Sequence, residues 1–468
     1  MKEINIRALV ADTLLQVEQE DVFLSAQENF VLGKYSSLDD RDRGFFKMVC
    51  DGVCERRILI DYILDLFSKT PVKKMKPYIR AVLRMSVYQL MWMENVPDSA
   101  VCNEAVKLVS SRGMSGLKGY VNGVLRNISR NKDNISYPDP DADIIRYLSV
   151  MYSCPKWIVL RLIKDHGEEL TRVVLKDSME HKPVSLRLRL RSSSDIAALE
   201  AKWADSGVIF SANPYIGEGR FVEPSGPVNR LPGYEDGSFV VQDTGSMMVS
   251  ILGCTGEEHA VMDLCGAPGG KSMHTADIIR GARDKCSAKI QCLDISENRC
   301  RRITENIDRL GLSDMITVGV ADASVYNKEY EESFDLVIAD VPCSGLGVMG
   351  HKPDIKYRLK PEDIDSLALL QRQIIDNAVK YVRPGGRLIY STCTVTGQEN
   401  VCQAEYIIET YGFKDITAVC VKDRLPSEYA DAVTENKKTP GLQIIPGIWR
   451  SDGFYIAVFE KEIKKETK

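Results

Sequence analysis

Two short stretches of this 468-residue chain carry residue types suited to covalent chemistry. They are Asp340-Val341-Pro342-Cys343-Ser344-Gly345 and Ser391-Thr392-Cys393-Thr394. Each follows an apolar run that reads as a buried strand, residues 334–339 and 387–390. Both cysteines therefore fall just past a strand end, where open α/β sheets hold their ligands. Two thiols and a carboxylate at such an edge suit covalent attack on a substrate held beside a cofactor. A third stretch, Asp263-Leu264-Cys265-Gly266-Ala267-Pro268-Gly269-Gly270-Lys271-Ser272, joins another strand to a helix. Its glycines let backbone approach a ligand closely.

Spacing decides among cofactors for that loop. Only three residues separate Gly266 from Gly270, one fewer than a P-loop needs, and the dinucleotide pattern G-x-G-x-x-G is also absent. S-adenosylmethionine remains, since it has no phosphate, and its ammonium and ribose hydroxyls suit carboxylates. Asp294, Asp322 and Asp340 close three successive strands after the loop. Singly, each would read as a turn or cap residue; together they point to a ligand. Asp294 stands where a ribose diol partner is expected, and Asp322 where a side chain would meet the adenine edge. The cofactor set is thus Cys265, Gly266, Ala267, Pro268, Gly269, Gly270, Lys271, Asp294, Asp322 and Asp340. The five histidines are dispersed, so a Cys-His protease is unsupported. Cys50 and Cys54 lack a complementary pair, so no metal is expected.

Three domains are expected to position these residues. Residues 1–136 are helical, with apolar residues three and four apart, as in Ile79, Val82, Leu83, Val87 and Leu90. Tyr137-Pro138-Asp139-Pro140-Asp141 reads as a linker. Residues 142–235 read as a small α+β module with helices over 155–165, 168–177 and 194–206 and a strand over 184–190. Residues 236–463 alternate strands (260–264, 290–295, 316–320, 334–339, 387–392) with helices (271–279, 297–310, 361–382, 399–411). That alternation predicts a parallel α/β sheet with crossover helices. A last strand, 453–459, is expected at or near the edge, and the lysine-rich tail after Glu460 reads as unstructured.

Composition sets the outer limits. With 44% hydrophobic and 27% charged residues, the chain reads as a soluble globular protein, and no apolar run reaches membrane-spanning length. The N-terminus lacks a signal-peptide pattern, so 13 reduced cysteines and a cytoplasmic location are expected. A net charge of −5 argues against a globally basic nucleic-acid binder. Between Pro71 and Asp133, however, eleven Lys/Arg stand against four Asp/Glu, either a phosphate-contacting surface or a solvated basic face.

The motifs 263–271, 340–345, His351-Lys352-Pro353-Asp354-Ile355-Lys356-Tyr357 and 391–393 resemble the RNA (cytosine-5) methyltransferases of the Nol1/Nop2/Sun group. The helical part, with Arg7-Ala8-Leu9 and Tyr120-Val121-Asn122-Gly123-Val124-Leu125-Arg126, resembles a NusB-like RNA-binding domain. The pairing is similar to the RsmB (Sun) type of 16S ribosomal RNA methyltransferase, over nearly the whole chain. The resemblance implies a class I, Rossmann-like methyltransferase domain, S-adenosyl-L-methionine as donor, and 16S RNA, unassembled or partly assembled, as partner of a monomer. It makes Cys393 the nucleophile and Cys343 the group that assists release. Asp340 would donate to, or orient, the cytosine N3 edge, which requires a raised pKa, and Lys271 would approach the base or cofactor. Departures are small: Gly266 stands where the family usually has Ala, Thr394 where Ser is common, and 445–454 keeps Asp-Gly-Phe but varies before it.

Overall fold

The computed structural model describes residues 4–463 except 21, 191, 224–225, 284–286 and 428–438, so the end of the lysine-rich tail lies outside the described residues. The chain forms two compact units. One holds residues 1–180 with 349–359, and the other holds 181–348 with 360–468.

The first unit is helical, with helices at Ile6–Gln19, Leu24–Lys34, Asp40–Glu55, Arg57–Phe67, Pro77–Trp92, Asp98–Ser111, Lys118–Asn131, Ile144–Met151 and Lys156–Asp177. Helix 77–92 buries almost every residue from Tyr78 to Leu90, and it packs against helices 6–19, 40–55, 57–67, 98–111 and 118–131. A helix apolar around most of its girth belongs at the centre of such a bundle. Part of the basic stretch is used internally: Arg80 and Arg84 pair with Glu18, Arg84 also with Asp61, Arg112 with Asp12, and Lys132 with Asp98. Lys73, Lys74, Lys76, Arg126 and Arg130 stay exposed.

Residues 349–359 complete this bundle. Helix 24–34 starts after Phe23, whose side chain cannot cap it. Asp354 Oδ2 instead accepts the Leu24 N–H at 2.9 Å, as a cap residue would. Lys356, fully buried, donates to the Glu55 carbonyl at 3.1 Å, at the C-terminus of helix 40–55. The Tyr357 hydroxyl donates to the Ser153 carbonyl at 2.9 Å, with the Arg57 guanidinium 3.7 Å from its ring centroid.

The second unit holds two sheets. The smaller consists of β1 (Val184–Leu188), β2 (Ile209–Ala212), β3 (Gly219–Glu223) and β4 (Phe239–Val241) in the order β2-β3-β1-β4, all antiparallel. The larger comprises β5 (Ala260–Asp263), β6 (Lys289–Asp294), β7 (Ile316–Val320), β8 (Phe334–Asp340), β9 (Val382–Thr392), β10 (Lys414–Asp415), β11 (Leu442–Ile444) and β12 (Phe454–Glu460). Its order is β10-β12-β9-β8-β5-β6-β7, with β11 beside β12. The neighbours from β7 to β9 are parallel, and the pairs made by β12 are antiparallel. The sheet is therefore mixed and Rossmann-like, and β12 lies one strand in from the edge.

The expected module 142–235 is divided between the units. Its helices 144–151 and 156–177 belong to the bundle, the second broken at Gly167 (φ 78°, ψ 170°) between the two helices expected there, whereas its third helix, Ser193–Asp205, lies in the other unit. Its strands continue past residue 235 into β4 and enclose their own core around Trp203 and Phe239. Arg189 grips Asp277 through two hydrogen bonds of 2.8 and 2.7 Å, and Arg187 pairs with the same carboxylate at 2.9 Å. This fixes the small sheet to helix Gly270–Ala282, the helix that opens at the cofactor loop.

Candidate active site

β5 and β8 are neighbours, yet the chain leaves β5 for β6, so the strand order reverses between them. Such a switch point opens a crevice at the carboxyl ends of the strands. The loop after β5 is folded tightly. Gly266 N–H donates to the Leu293 carbonyl at 2.7 Å, and Gly269, at φ 98°, precedes the helix that begins at Gly270. A Cβ at Gly266 would lie 2.3 Å from the Cys292 sulfur. The thiol of Cys292 thus fills the room that the family's usual alanine would use, which accounts for the departure at 266. Cys265 is half-buried and Pro268 exposed. The Ala267 N–H donates to Asp294 Oδ2 at 3.3 Å.

The carboxylates fare differently. Asp263 is fully buried, bonded to Ser272 at 2.7 Å through Oδ2, while its Oδ1 has no hydrogen-bond partner among the described residues. Burial pushes this carboxyl up to about 6, against the Ser272 hydroxyl and Lys271. Burial, together with the charges of Asp263, Asp340 and Asp294, raises the Cys265 thiol, so three acids act on one point of the loop. Asp322 is exposed after β7 and accepts the Ser324 N–H and hydroxyl at 2.9 and 2.7 Å, which holds its carboxyl below its ordinary value. It forms a turn, and among the described residues it has no hydrogen bond to the loop.

Asp340 ends β8. Lys271 Nζ lies 2.6 Å from one of its oxygens, and the Ser391 hydroxyl donates to the other at 2.8 Å. Asp340 is therefore one half of an ion pair with Lys271. Burial acts to lower Lys271, but the charge of Asp340, followed by Asp263 and Cys393, more than offsets it and the ammonium is raised. The Cys343 and Cys393 sulfurs stand 3.4 Å apart, both half-buried. Gly347 N–H donates to the Cys393 carbonyl at 3.1 Å, and the Gly453 N–H donates to the Gly347 carbonyl at 2.9 Å. A Cβ at Gly347 would lie 2.1 Å from the Gly453 oxygen, and one at Gly453, in the Asp-Gly-Phe motif, 2.7 Å from the Gly347 Cα, so glycine at both positions lets the two backbones meet beside the thiols.

The structure thus brings together Cys343, Cys393, Asp340 and Lys271 at one sheet edge, with the 265–270 loop and Asp294 on the neighbouring strands. Sequence reasoning missed Glu399 and Asn400. Asn400 Oδ1 accepts the Thr392 hydroxyl at 2.6 Å and its Nδ2 donates to the Thr394 carbonyl at 3.0 Å, holding Cys393 from both sides. Two polar residues six and seven positions after Cys393 were the available signal, but the pattern placed them in a helix.

Fold and site define an S-adenosyl-L-methionine-dependent methyltransferase joined to a NusB-family domain. A model of the family described as 16S rRNA methyltransferase RsmB/F matches residues 249–460, and a NusB-family model matches 4–130. The chain is 31% identical to the probable ribosomal RNA small subunit methyltransferase B of Bacillus subtilis (strain 168), over 99% of this chain and all of that protein. It is 29% identical to ribosomal RNA small subunit methyltransferase B of Escherichia coli (strain K12), again over 99% of this chain and all of that one. The crystal structure of PH0851 superposes with a TM-score of 0.75 at 21% identity, over 98% of this chain and 99% of its own. That of NSun6 from Pyrococcus horikoshii with SFG gives 0.53 at 20%, over 66% and 98%. The chain belongs to the RsmB/F family. No helix among the described residues is long and apolar enough to cross a membrane.

The loop fits the family's cofactor. An unpartnered buried carboxylate oxygen at Asp263, with Asp294 and Asp340 on the adjoining strands, suits a donor carrying a sulfonium and an ammonium rather than phosphates.

Proposed function

We propose that this protein forms 5-methylcytosine in 16S ribosomal RNA through a covalent bond from Cys393 to C6 of the base. The observation that carries this reading is the pair of thiols 3.4 Å apart at the cofactor crevice. Cytosine C5 is too weak a nucleophile to take a methyl group unaided. Addition of the Cys393 thiolate to C6 breaks the C5=C6 double bond and makes C5 enamine-like. Residues 265–271, Asp294 and Asp340 would hold S-adenosylmethionine, with Asp322 at its adenine end, and that donor would supply an electrophilic methyl group. C5 takes that methyl group with the enamine electron pair, as the methyl–sulfonium bond breaks and its electrons return to the sulfur. The C5 proton then leaves with the help of Cys343, the S–C6 bond breaks with its electrons returning to Cys393, and the double bond re-forms. Asp340 and Lys271 share one proton-rich contact, and either orients the N3 edge as charge develops there. The base must be unstacked to enter the crevice, which favours a loop or bulge of RNA. Exposed Lys73, Lys74, Lys76, Arg126 and Arg130 of the helical unit supply phosphate contacts. We place the protein in the cytoplasm, acting as a monomer.

The test is incubation with RNA and S-adenosylmethionine followed by denaturing electrophoresis. Cys393→Ala abolishes methylation, and Cys343→Ala accumulates a covalent protein–RNA adduct. Swapped phenotypes reverse the assignment of nucleophile. Bisulfite sequencing of RNA from cells lacking the gene identifies the lost site, and a loss in transfer RNA instead of 16S RNA overturns the substrate.

A further inference from the structure

Two neighbouring thiols of the same chemistry must be made unequal if one is to attack and the other to wait. The buried residue that touches both loops is Glu399. Its Oε1 accepts the Ser344 N–H at 2.8 Å and Gln371 Nε2 at 3.2 Å. Its Oε2 accepts the Ser344 and Thr396 hydroxyls, both at 2.6 Å, and the Thr394 hydroxyl at 3.5 Å. Ser344 follows Cys343 and Thr394 follows Cys393, and their hydroxyls are 2.7 Å apart. Gln371, itself fully buried, also donates to the Pro342 carbonyl at 3.0 Å. Tyr390, at the end of β9, donates to the Glu399 carbonyl at 2.6 Å. One carboxylate with only acceptor roles therefore fastens both turns, in an interior where charge acts at full strength.

We propose that Glu399 is the positioning residue that separates the roles of the two thiols, keeping the proton on Cys343 while Cys393 stands ready to attack. This rests on the covalent two-cysteine reading above. The setting of the pair is asymmetric: Glu399 takes hydrogen bonds of 2.8 and 2.6 Å from Ser344, beside Cys343, but one of only 3.5 Å from Thr394, beside Cys393, and the charge of Lys271 bears on Cys393. The Cys343 thiol is held well above the ordinary thiol range, first by its contact with Cys393, then by burial and the charge of Cys393, and further by Glu399. The same order of causes supplies timing. Once Cys393 is bound to C6 its negative charge is gone, and the contact and charge of that thiolate no longer hold the proton on Cys343, while burial and Glu399 still do. Cys343 then releases its proton to water, takes the proton from C5 and is a thiol again, while Cys393 leaves as thiolate. Glu399 adds to the hold on the Cys343 proton throughout, and the loss of the Cys393 charge sets the moment at which that hold weakens.

The test is alkylation of the full-length protein by iodoacetamide from pH 6 to 10, with each cysteine read by peptide mass spectrometry. In the parent, Cys393 reacts at lower pH than Cys343; equal midpoints overturn the proposal with no substitution needed. In Glu399→Gln, which keeps volume and an acceptor but loses the charge, Cys343 alkylation at pH 8 rises about tenfold, the scale set by one neighbouring charge. Cys393 changes little, and kcat for methylation falls with KM for RNA retained. Unchanged Cys343 alkylation, or an equal rise at both thiols, overturns the proposal. Methylation by Cys393→Ala would instead sink the covalent reading while leaving the alkylation result standing, so the two failures are distinguishable.

Discussion

Each unit of this protein buries a glutamate in its interior, and the two are treated in opposite ways. Glu28, 3% exposed within the helical unit, has an Oε1 with no hydrogen-bond partner among the described residues. Burial, with the charge of Asp51 and against that of Lys47, pushes its carboxyl up to about 8. Glu399, fully buried in the α/β unit, receives donors at both oxygens from Ser344, Gln371, Thr394 and Thr396. Burial alone makes an acid hold its proton, whereas burial among donors makes a carboxylate a structural anchor. An apolar replacement is therefore expected to cost little at the first residue and much at the second.

The sharpest way to break that contrast is to give both positions an apolar side chain of similar volume. Glu399→Met leaves the Ser344 N–H and the Gln371 amide buried without their acceptor, at about 1–3 kcal/mol each. Urea unfolding should show a loss of about 3 kcal/mol or more in the α/β unit. Glu28→Met removes an orphan, and its unfolding should stay within about 1 kcal/mol of the parent or improve. Equal losses at the two sites would end the comparison.

A second prediction concerns pH. The Glu28 carboxyl titrates ordinarily near 4.5 and near 8 when folded, so the folded state holds the extra proton between those values. Its stabilising contribution is complete below about 4.5, declines as pH rises, and is gone above about 8. Asp51, pushed to about 6 chiefly by burial, adds to the lower part of the same decline. The melting temperature of the helical unit should therefore fall from pH 6 to 8, and Glu28→Met should flatten that fall; a parallel curve in the variant would exclude Glu28 as its source. The smallest effect is expected for Ser344→Ala, which removes one hydroxyl donor to Glu399 but keeps the backbone N–H. A loss of about 1 kcal/mol is expected, with kcat above that of Glu399→Gln.

The central strands, the cofactor loop and the cysteine-bearing strand ends were legible because each is a local pattern, an apolar run followed by glycine or a polar turn. Leu336–Ala339 is buried throughout, which is why it reads as an apolar strand despite Asp335 before it. Glu399 was not legible in the same way. Helical spacing extends naturally to it from Tyr411, but the helix begins at Val401, because Glu399 and Asn400 turn their polar groups to the loops on either side. The role of Asp354 was equally hidden, since its partner Leu24 lies 330 positions away. Among the sequence-assigned cofactor residues, Asp322 sits in a local turn, and its part in binding rests on the strand-end pattern alone.

The helical unit is not finished when its own helices are. Its closing piece, 349–359, lies 169 positions beyond Glu180 and caps helices made near the start of the chain. During synthesis at roughly 5–20 residues per second, about 10–30 s separate the last bundle helix from this piece. Throughout that interval the N-terminus of helix 24–34 and the last carbonyls of helix 40–55 wait for groups that do not yet exist. A fragment cut after residue 180 would be left permanently in that condition.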